Sequence, residues 1–270
     1  VLNVTPDSFS DGGTFYDPRA AIEQVDRLLE QGADVLDIGG ESSRPKGQTY
    51  GEGAEVVPVF EELRRVLPAI QHAVARGAKV SIDTVKPEVA RQALSAGARI
   101  VNDVSCASNP DLLQVVAEAG AELVIMHNRG RGERDGDNVR YADVTCEVSS
   151  ELGQAVERAV AMGVAREDIW LDPGIGFAKT GAQSASLIAA THELVALGYR
   201  VLMGPSRKSF IAELAPRADG RAPQAGERLP GTLAAVLLCA LGGCHAVRVH
   251  DVAETHQALA VLGACVRRRA

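Results

Sequence analysis

Asp83, Asn102 and Asp172 each close a short apolar run, in KVSID, RIVND and IWLD. Carboxylates beside an amide suit an uncharged heterocycle with an amide-guanidine edge, because adjacent N–H donors pair with two carboxylate oxygens. Cationic groups follow other runs of the same kind: Arg44 after DVLDIGG, Lys208 after VLMGPS, and Arg248 with His250 in AVRVHD. Net charge is −7, so positive charge gathered in one place calls for an anionic partner, and a substrate phosphate or diphosphate supplies it. Spaced two apart in an extended run, Arg248 and His250 share one face. The segment NVTPDSFSDGG carries Asn3, Asp7, Asp11 and paired glycines, and could bind magnesium through oxygen ligands or close as a flap. Structural alternatives stand beside each reading. Asp83 and Asp103 could cap the helices opened by Pro87 and Pro110, Arg248 could form a floor salt bridge, and Lys208 could be a solvated helix residue.

The elements that must position these residues repeat along the chain. Eight apolar runs end at polar residues: VLNVT, DVLDIGG, KVSIDT, RIVND, ELVIMH, IWLD, VLMGPS and AVRVHD. The runs are short and β-branched, as strands buried on both faces should be. Between them, stretches such as AIEQVDRLLEQG and PDLLQVVAEAG place apolar residues three and four apart, the stripe of a helix lying on a sheet. Pro18, Pro87 and Pro110 open helices that Gly32, Gly97 and Gly120 close, with Asn109 as a cap. Eight such units predict an α/β chain folded as a single-domain (β/α)8 TIM barrel over residues 1–270. Catalytic groups in that fold collect at the C-terminal rim of the strands. Val1 already lies inside the first run, so the first strand is expected to be truncated at its N-terminus. Long rim connections at 5–15, 42–55 and 128–142 are where lids and clamps are found, whereas 216–226 reads as a spacer.

Composition narrows the partners. Hydrophobic residues make up 46% of the 270, enough for a sizeable core. No basic stripe is present, which argues against nucleic acid. No apolar run is long enough to cross a bilayer and no signal-peptide core is visible, so a cytoplasmic enzyme away from membranes is expected. Cys106, Cys146, Cys239, Cys244 and Cys265 show no CxxC spacing and read as buried free thiols. DPGIGFAKT lacks the GxxxxGK[ST] form of a P-loop, and no GxSxG elbow occurs. His245 and Cys244 alternate off the Arg248/His250 face and read as packing.

Taken in order, NVTPDSFSDGG (3–13), DIGGESSRP (37–45), SIDT (81–84), VND (101–103), IMH (125–127), LDPGIGFAKT (171–180), SRK (206–208) and RVHD (248–251) resemble the dihydropteroate synthase family of folate biosynthesis. The match covers nearly the whole chain, and its first two motifs are the most specific. The resemblance implies condensation of 6-hydroxymethyl-7,8-dihydropterin diphosphate with 4-aminobenzoate, by a dissociative substitution assisted by magnesium. It implies a pterin pocket of Asp83, Asn102, Asp172 and Lys208, and a diphosphate site of Asn3, Arg44, Arg248 and His250, with Asn3 contacting the metal. It implies an aminobenzoate site of Phe9, Ser43, Pro45, Phe177 and Ser206, and catalytic roles for Asp83, Asp172, Lys208 and Asp11. Sulfonamide inhibition and a homodimer packed through late helices are also implied. Departures from the family pattern are Cys106, where glycine is usual, and TGAQSASL, which lacks the usual His-Asn. Arg129, Arg131 and Arg134 receive no role. The rivals are a methyltetrahydrofolate-dependent corrinoid methyltransferase, which has no need of the anion site, and a non-catalytic pterin-binding paralogue, which should have lost site groups.

Overall fold

The computed structural model describes residues 1–5, 18–41, 57–129 and 140–267. Strands and helices alternate as β1 (Leu2–Asn3), α1 (Pro18–Glu30), β2 (Val35–Gly39), α2 (Val59–Ala75), β3 (Lys79–Asp83), α3 (Pro87–Ser95), β4 (Ile100–Asp103), α4 (Pro110–Ala119) and β5 (Glu122–Met126). They continue as α5 (Val144–Ala161), β6 (Ile169–Asp172), α6 (Gly181–Ala189), α7 (Thr191–Val195), β7 (Arg200–Met203), α8 (Ser209–Leu214), α9 (Leu229–Leu241), β8 (Ala246–Val247) and α10 (Val252–Arg267). All eight strands are parallel and lie in sequence order. The amino group of Val1 donates to the Val249 carbonyl at 3.0 Å, bringing the first and last edges together. This is the expected barrel architecture.

Strand parity divides the side chains. Leu36, Ile38, Val80, Ile82, Val101, Leu123, Ile125, Leu171 and Val201 are buried in the core cluster shared with the helices. Their alternates, among them Asp37, Ser81, Ile100, Asn102, Val124 and Leu202, line the barrel lumen. The register carries the polar residues into a common layer. Gly39 lies opposite Asp83 and Asp83 opposite Asn102, with Asp37 and Ser81 paired one step below. A Cβ on Gly39 would sit 3.3 Å from that of Asp83, so glycine there gives the carboxylate its room.

Several local expectations are resolved. Asn109 caps α4, its side chain accepting from Asp111 N and Leu112 N. Asp83 does not cap α3, whose N-cap is Lys86 without a side-chain bond. Asp103 instead holds the turn that follows β4, accepting from Ser105 N at 2.8 Å and Ala107 N at 2.7 Å. Cys106 and Ala107 in that turn have φ of 60° and 55°, the left-handed conformation that favours the glycine it lacks. Arg158 offsets this by donating to the Cys106 and Ala107 carbonyls. Strand β8 is shorter than AVRVHD suggests, so Arg248 and His250 lie just past it, although Arg248 N still bonds to Met203 O at 2.9 Å. His245 packs as expected, accepting from Val201 N at 3.0 Å. All five cysteines are free; Cys106 and Cys239 are buried as expected, Cys244 is half-buried, and Cys146 on α5 and Cys265 on α10 are exposed. Among the described residues no helix is long and apolar enough to cross a membrane.

Candidate active site

The strand ends bring the carboxylates and cations into one layer. Arg248 reaches across the lumen, with Nε 2.5 Å from Asp37 Oδ2 and Nη2 2.8 Å from Asp83 Oδ2. Asn102 donates to the same Asp37 oxygen at 3.3 Å. Gly204 marks the convergence of the other side. A Cβ on it would lie 3.8 Å from both Asp172 Oδ2 and Lys208 Nζ, and 3.9 Å from Arg248 Cβ. Asp172 also accepts from Gly174 N at 2.7 Å. Lys208 donates to the Ile175 carbonyl at 2.5 Å and stands 4.5 Å from the centre of the Phe177 ring, a cation over an aromatic face.

Burial sets the electrostatics of this layer. It pushes the Asp83 carboxyl up, against the pull of the Arg248 guanidinium. It raises Asp172 as well, opposed by Lys208 and by the Gly174 N–H. Burial lowers the Lys208 ammonium to about 8, with Asp172 resisting. For Arg248 burial works against the charge, but Asp37, Asp83 and Asp172 outweigh it and the group is held cationic. Two acceptor oxygens, Asn102 Oδ1 in the layer and Asp37 Oδ1 one step below it, are buried with no hydrogen-bond partner among the described residues. Buried acceptors without donors are costly, so they mark a place that a donor-bearing ligand would complete.

His250 differs from its expected role as a cation. Burial, then the chain's amino terminus, Arg207, Arg248 and Lys208, lower its pKa well below the ordinary value, so it is neutral at pH 7. Ser206 Oγ accepts from His250 N at 3.2 Å and lies 3.0 Å from His250 Nδ1. The Ser206 oxygen can accept from His250 N and still give the hydroxyl proton to Nδ1, an arrangement that places the neutral ring's proton on Nε2. His250 can therefore offer an anion one N–H without a formal charge. Ser206 is tied to His250 rather than standing alone.

Of the residues expected at the site, Asp83, Asn102, Asp172, Lys208, Arg248, His250, Phe177 and Ser206 gather at one end of the barrel, and Asn3 ends β1 on the same rim. Arg248 departs in one respect: its guanidinium lies in the layer expected to hold the pterin. Phe9, Asp11, Ser43, Arg44 and Pro45 fall outside the described residues, as do Arg131 and Arg134. Arg129 is engaged elsewhere, bonding to Glu147 and Glu151. Asp37 is the residue that motif reading leaves without a role. The available signal is parity, since a lone carboxylate between Leu36 and Ile38 in a buried five-residue strand must face the lumen. A cavity of about 450 Å³ runs from below Asp37, Asn102 and Arg248 to Lys79, Trp170 and His245 at the opposite end. It belongs to the lower lumen and not to the rim.

Residues 1–250 match the family of pterin binding enzymes. A dihydropteroate synthase of Mycobacterium leprae is 44% identical over 266 residues, covering 98% of this chain and 91% of that protein. The solved structure of Xanthomonas albilineans dihydropteroate synthase with 4-aminobenzoic acid superposes with a TM-score of 0.86 at 44% identity, covering 98% of this chain and 90% of that one. That of the Yersinia pestis enzyme with a sulfonamide drug gives a TM-score of 0.90 at 35% identity, over 100% and 93% of the two chains.

Proposed function

The chain belongs to the pterin-binding enzyme family, among its dihydropteroate synthases, and we propose that the rim layer is where it joins 6-hydroxymethyl-7,8-dihydropterin diphosphate to 4-aminobenzoate. The activity is that of a folate-pathway transferase, releasing 7,8-dihydropteroate and diphosphate. Relatives at 40–44% identity are dihydropteroate synthases, so the corrinoid methyltransferase alternative has no support. The observation that carries the placement is the layer itself, with Asp172, Asn102 and Lys208 beside Arg248 and acceptor oxygens lacking donors.

An aryl amine is a weak nucleophile, so the carbon it attacks must become strongly electrophilic. The C–O bond to diphosphate breaks with its electron pair leaving on oxygen, and a methylene cation conjugated with the pterin remains. The amine nitrogen then forms the C–N bond and gives up a proton. Asp172 and Asn102 bind the amide-guanidine edge, Lys208 donates to the ring, and Asp83 and Asp172 stabilise the developing positive charge at short range. Arg248 and the Nε2–H of His250 steady the departing oxygens, joined by Arg44 from outside the described residues. Magnesium, bound with the diphosphate, would supply further charge neutralisation to the leaving group. Asn3 is the residue that would hold it, and one amide oxygen suits a cation that takes most of its ligands from water and phosphate.

Aminobenzoate is assigned to Phe177 and Ser206, with Phe9, Ser43 and Pro45, and Asp11 is assigned to the flap that covers it. The sulfonamide bound by the Yersinia pestis relative supports sulfonamides as inhibitors here. A homodimer through α9 and α10 is supported by Leu238, Leu241 and Val261, which are 56%, 61% and 60% exposed. Cytoplasmic residence agrees with the free thiols. Purified protein with both substrates and magnesium is expected to release diphosphate in step with dihydropteroate, and far more slowly when aminobenzoate is withheld. No turnover in the coupled assay would defeat the proposal.

A further inference from the structure

Lys179 is a fully buried lysine, 0% exposed, in a connection where the reaction gives it no part. An ammonium removed from water persists only when hydrogen-bonded and compensated. Its Nζ lies 2.9 Å from the Phe177 carbonyl, 3.2 Å from the Gly174 carbonyl and 2.9 Å from His127 Nδ1. His127 Nε2 is in turn 2.9 Å from Glu151 Oε2 on α5. With Nδ1 accepting, the neutral ring carries its proton on Nε2 and donates it to Glu151. Burial and the Lys179 charge lower His127 to about 4, which agrees with the neutral form. Arg129 closes the chain, donating to Glu151 and Glu147 while its guanidinium lies 3.9 Å from the centre of the Tyr141 ring. Tyr141 Oη donates to the Ala178 carbonyl at 3.1 Å.

Lys179 and Tyr141 hold the carbonyls of one turn, 174–178, from its outer side, with His127, Glu151 and Arg129 backing them. His127 follows β5 with the parity of Leu123 and Ile125, which face the helices, so the grip comes from behind the sheet. The turn needs holding. Gly174, Gly176 and Ala178 have φ of 67°, 78° and 46°, and alanine there is strained. A Cβ on Gly174 would collide with the His127 carbonyl, so the turn packs directly on the end of β5. Its inner side presents the Ile175 carbonyl and the Phe177 ring to Lys208, and its first N–H goes to Asp172.

We propose that Lys179 is a positioning residue for the pterin pocket, bolting the 174–178 turn from behind so that Ile175 O, Phe177 and Gly174 N hold Lys208 and Asp172 in their binding geometry. The inference rests on the pterin assignment of Lys208 and Asp172 made above. Burial lowers the Lys179 ammonium to about 7, with Asp172 and Cys106 opposing the fall and Lys208 and Arg129 adding to it. None of these four is one of the Nζ acceptors named above, which are the Phe177 and Gly174 carbonyls and His127 Nδ1.

Lys179→Met keeps the length and fills the space while removing every N–H donor. Calorimetry with 6-hydroxymethylpterin is expected to show at least a ten-fold rise in Kd, while the Kd of inorganic diphosphate with magnesium stays within two-fold of the parent. His127→Leu removes one of the Nζ acceptors together with the Nε2 bond to Glu151 and leaves the two carbonyl acceptors of Lys179, so a smaller loss in the same direction, about three- to ten-fold, is expected. It serves as the test should Lys179→Met not fold. Unchanged pterin affinity in the folded variants, or equal losses for pterin and diphosphate, would overturn the role. Absence of turnover in the unaltered protein would count against the synthase reading instead, and the binding split would still decide the role of Lys179.

Discussion

Arg248→Ala is expected to cost about 3–5 kcal/mol of folding stability, a large share of a typical domain's total. The reason is that Arg248 lies 2.5 Å from Asp37 and 2.8 Å from Asp83, and its loss leaves two buried carboxylates uncompensated. The sign of the pH dependence follows. Burial already raises Asp83 to about 7 with Arg248 opposing, so removing the arginine raises it further. A carboxyl whose folded pKa is raised favours folding below its unfolded value near 3.8, and that contribution is lost as pH rises through the folded pKa. The variant's deficit in urea should therefore be smaller at pH 5 than at pH 8. A loss below about 1 kcal/mol at pH 8 would show that the ion pairs contribute like surface ones. Binding should separate too, with the diphosphate ester weakened far more than the bare pterin alcohol. Equal weakening would place Arg248 outside the leaving-group site.

Asp172→Asn should weaken pterin binding by about 2–3 kcal/mol, roughly 30- to 150-fold in Kd, the range for a hydrogen bond to a charged group. The substitution keeps shape but replaces one acceptor with an NH₂ donor facing the donors of the pterin edge. It also removes the negative charge beside Lys208, which helps keep that ammonium protonated against burial. Titration calorimetry with 6-hydroxymethylpterin at pH 7 reads the effect directly. Unchanged affinity would mean that another carboxylate, Asp83 or Asp37, reads the ring.

What the chain discloses about itself varies with the range of the interaction. Strand ends such as KVSID and IWLD are local, so parity and the polar terminus place Asp83 and Asp172 at the rim without tertiary knowledge. Asn109 before Pro110 announces its helix just as locally. Asp37 is half legible: its inward direction follows from Leu36 and Ile38, but its hold on Arg248 joins residues at opposite ends of the chain. The charge state of His250 is not legible, because it depends on burial and on Arg207, Arg248 and Lys208 crowding the ring. Lys179 is the clearest case. Within DPGIGFAKT it looks like a phosphate-loop lysine that misses its pattern, and only the approach of His127 and α5 shows it buried and turned away from the rim.

Every assignment for the reaction assumes that the bicyclic ring and its departing tail occupy adjoining parts of one cup. A crystal of the protein soaked with the intact dihydropterin diphosphate ester measures this directly. The expected map shows the amide-guanidine edge within hydrogen-bond distance of Asp172 and Asn102, and diphosphate oxygens within reach of Arg248 and His250 Nε2. Density for the pterin away from Asp172, or for the diphosphate away from both Arg248 and His250, would contradict the account.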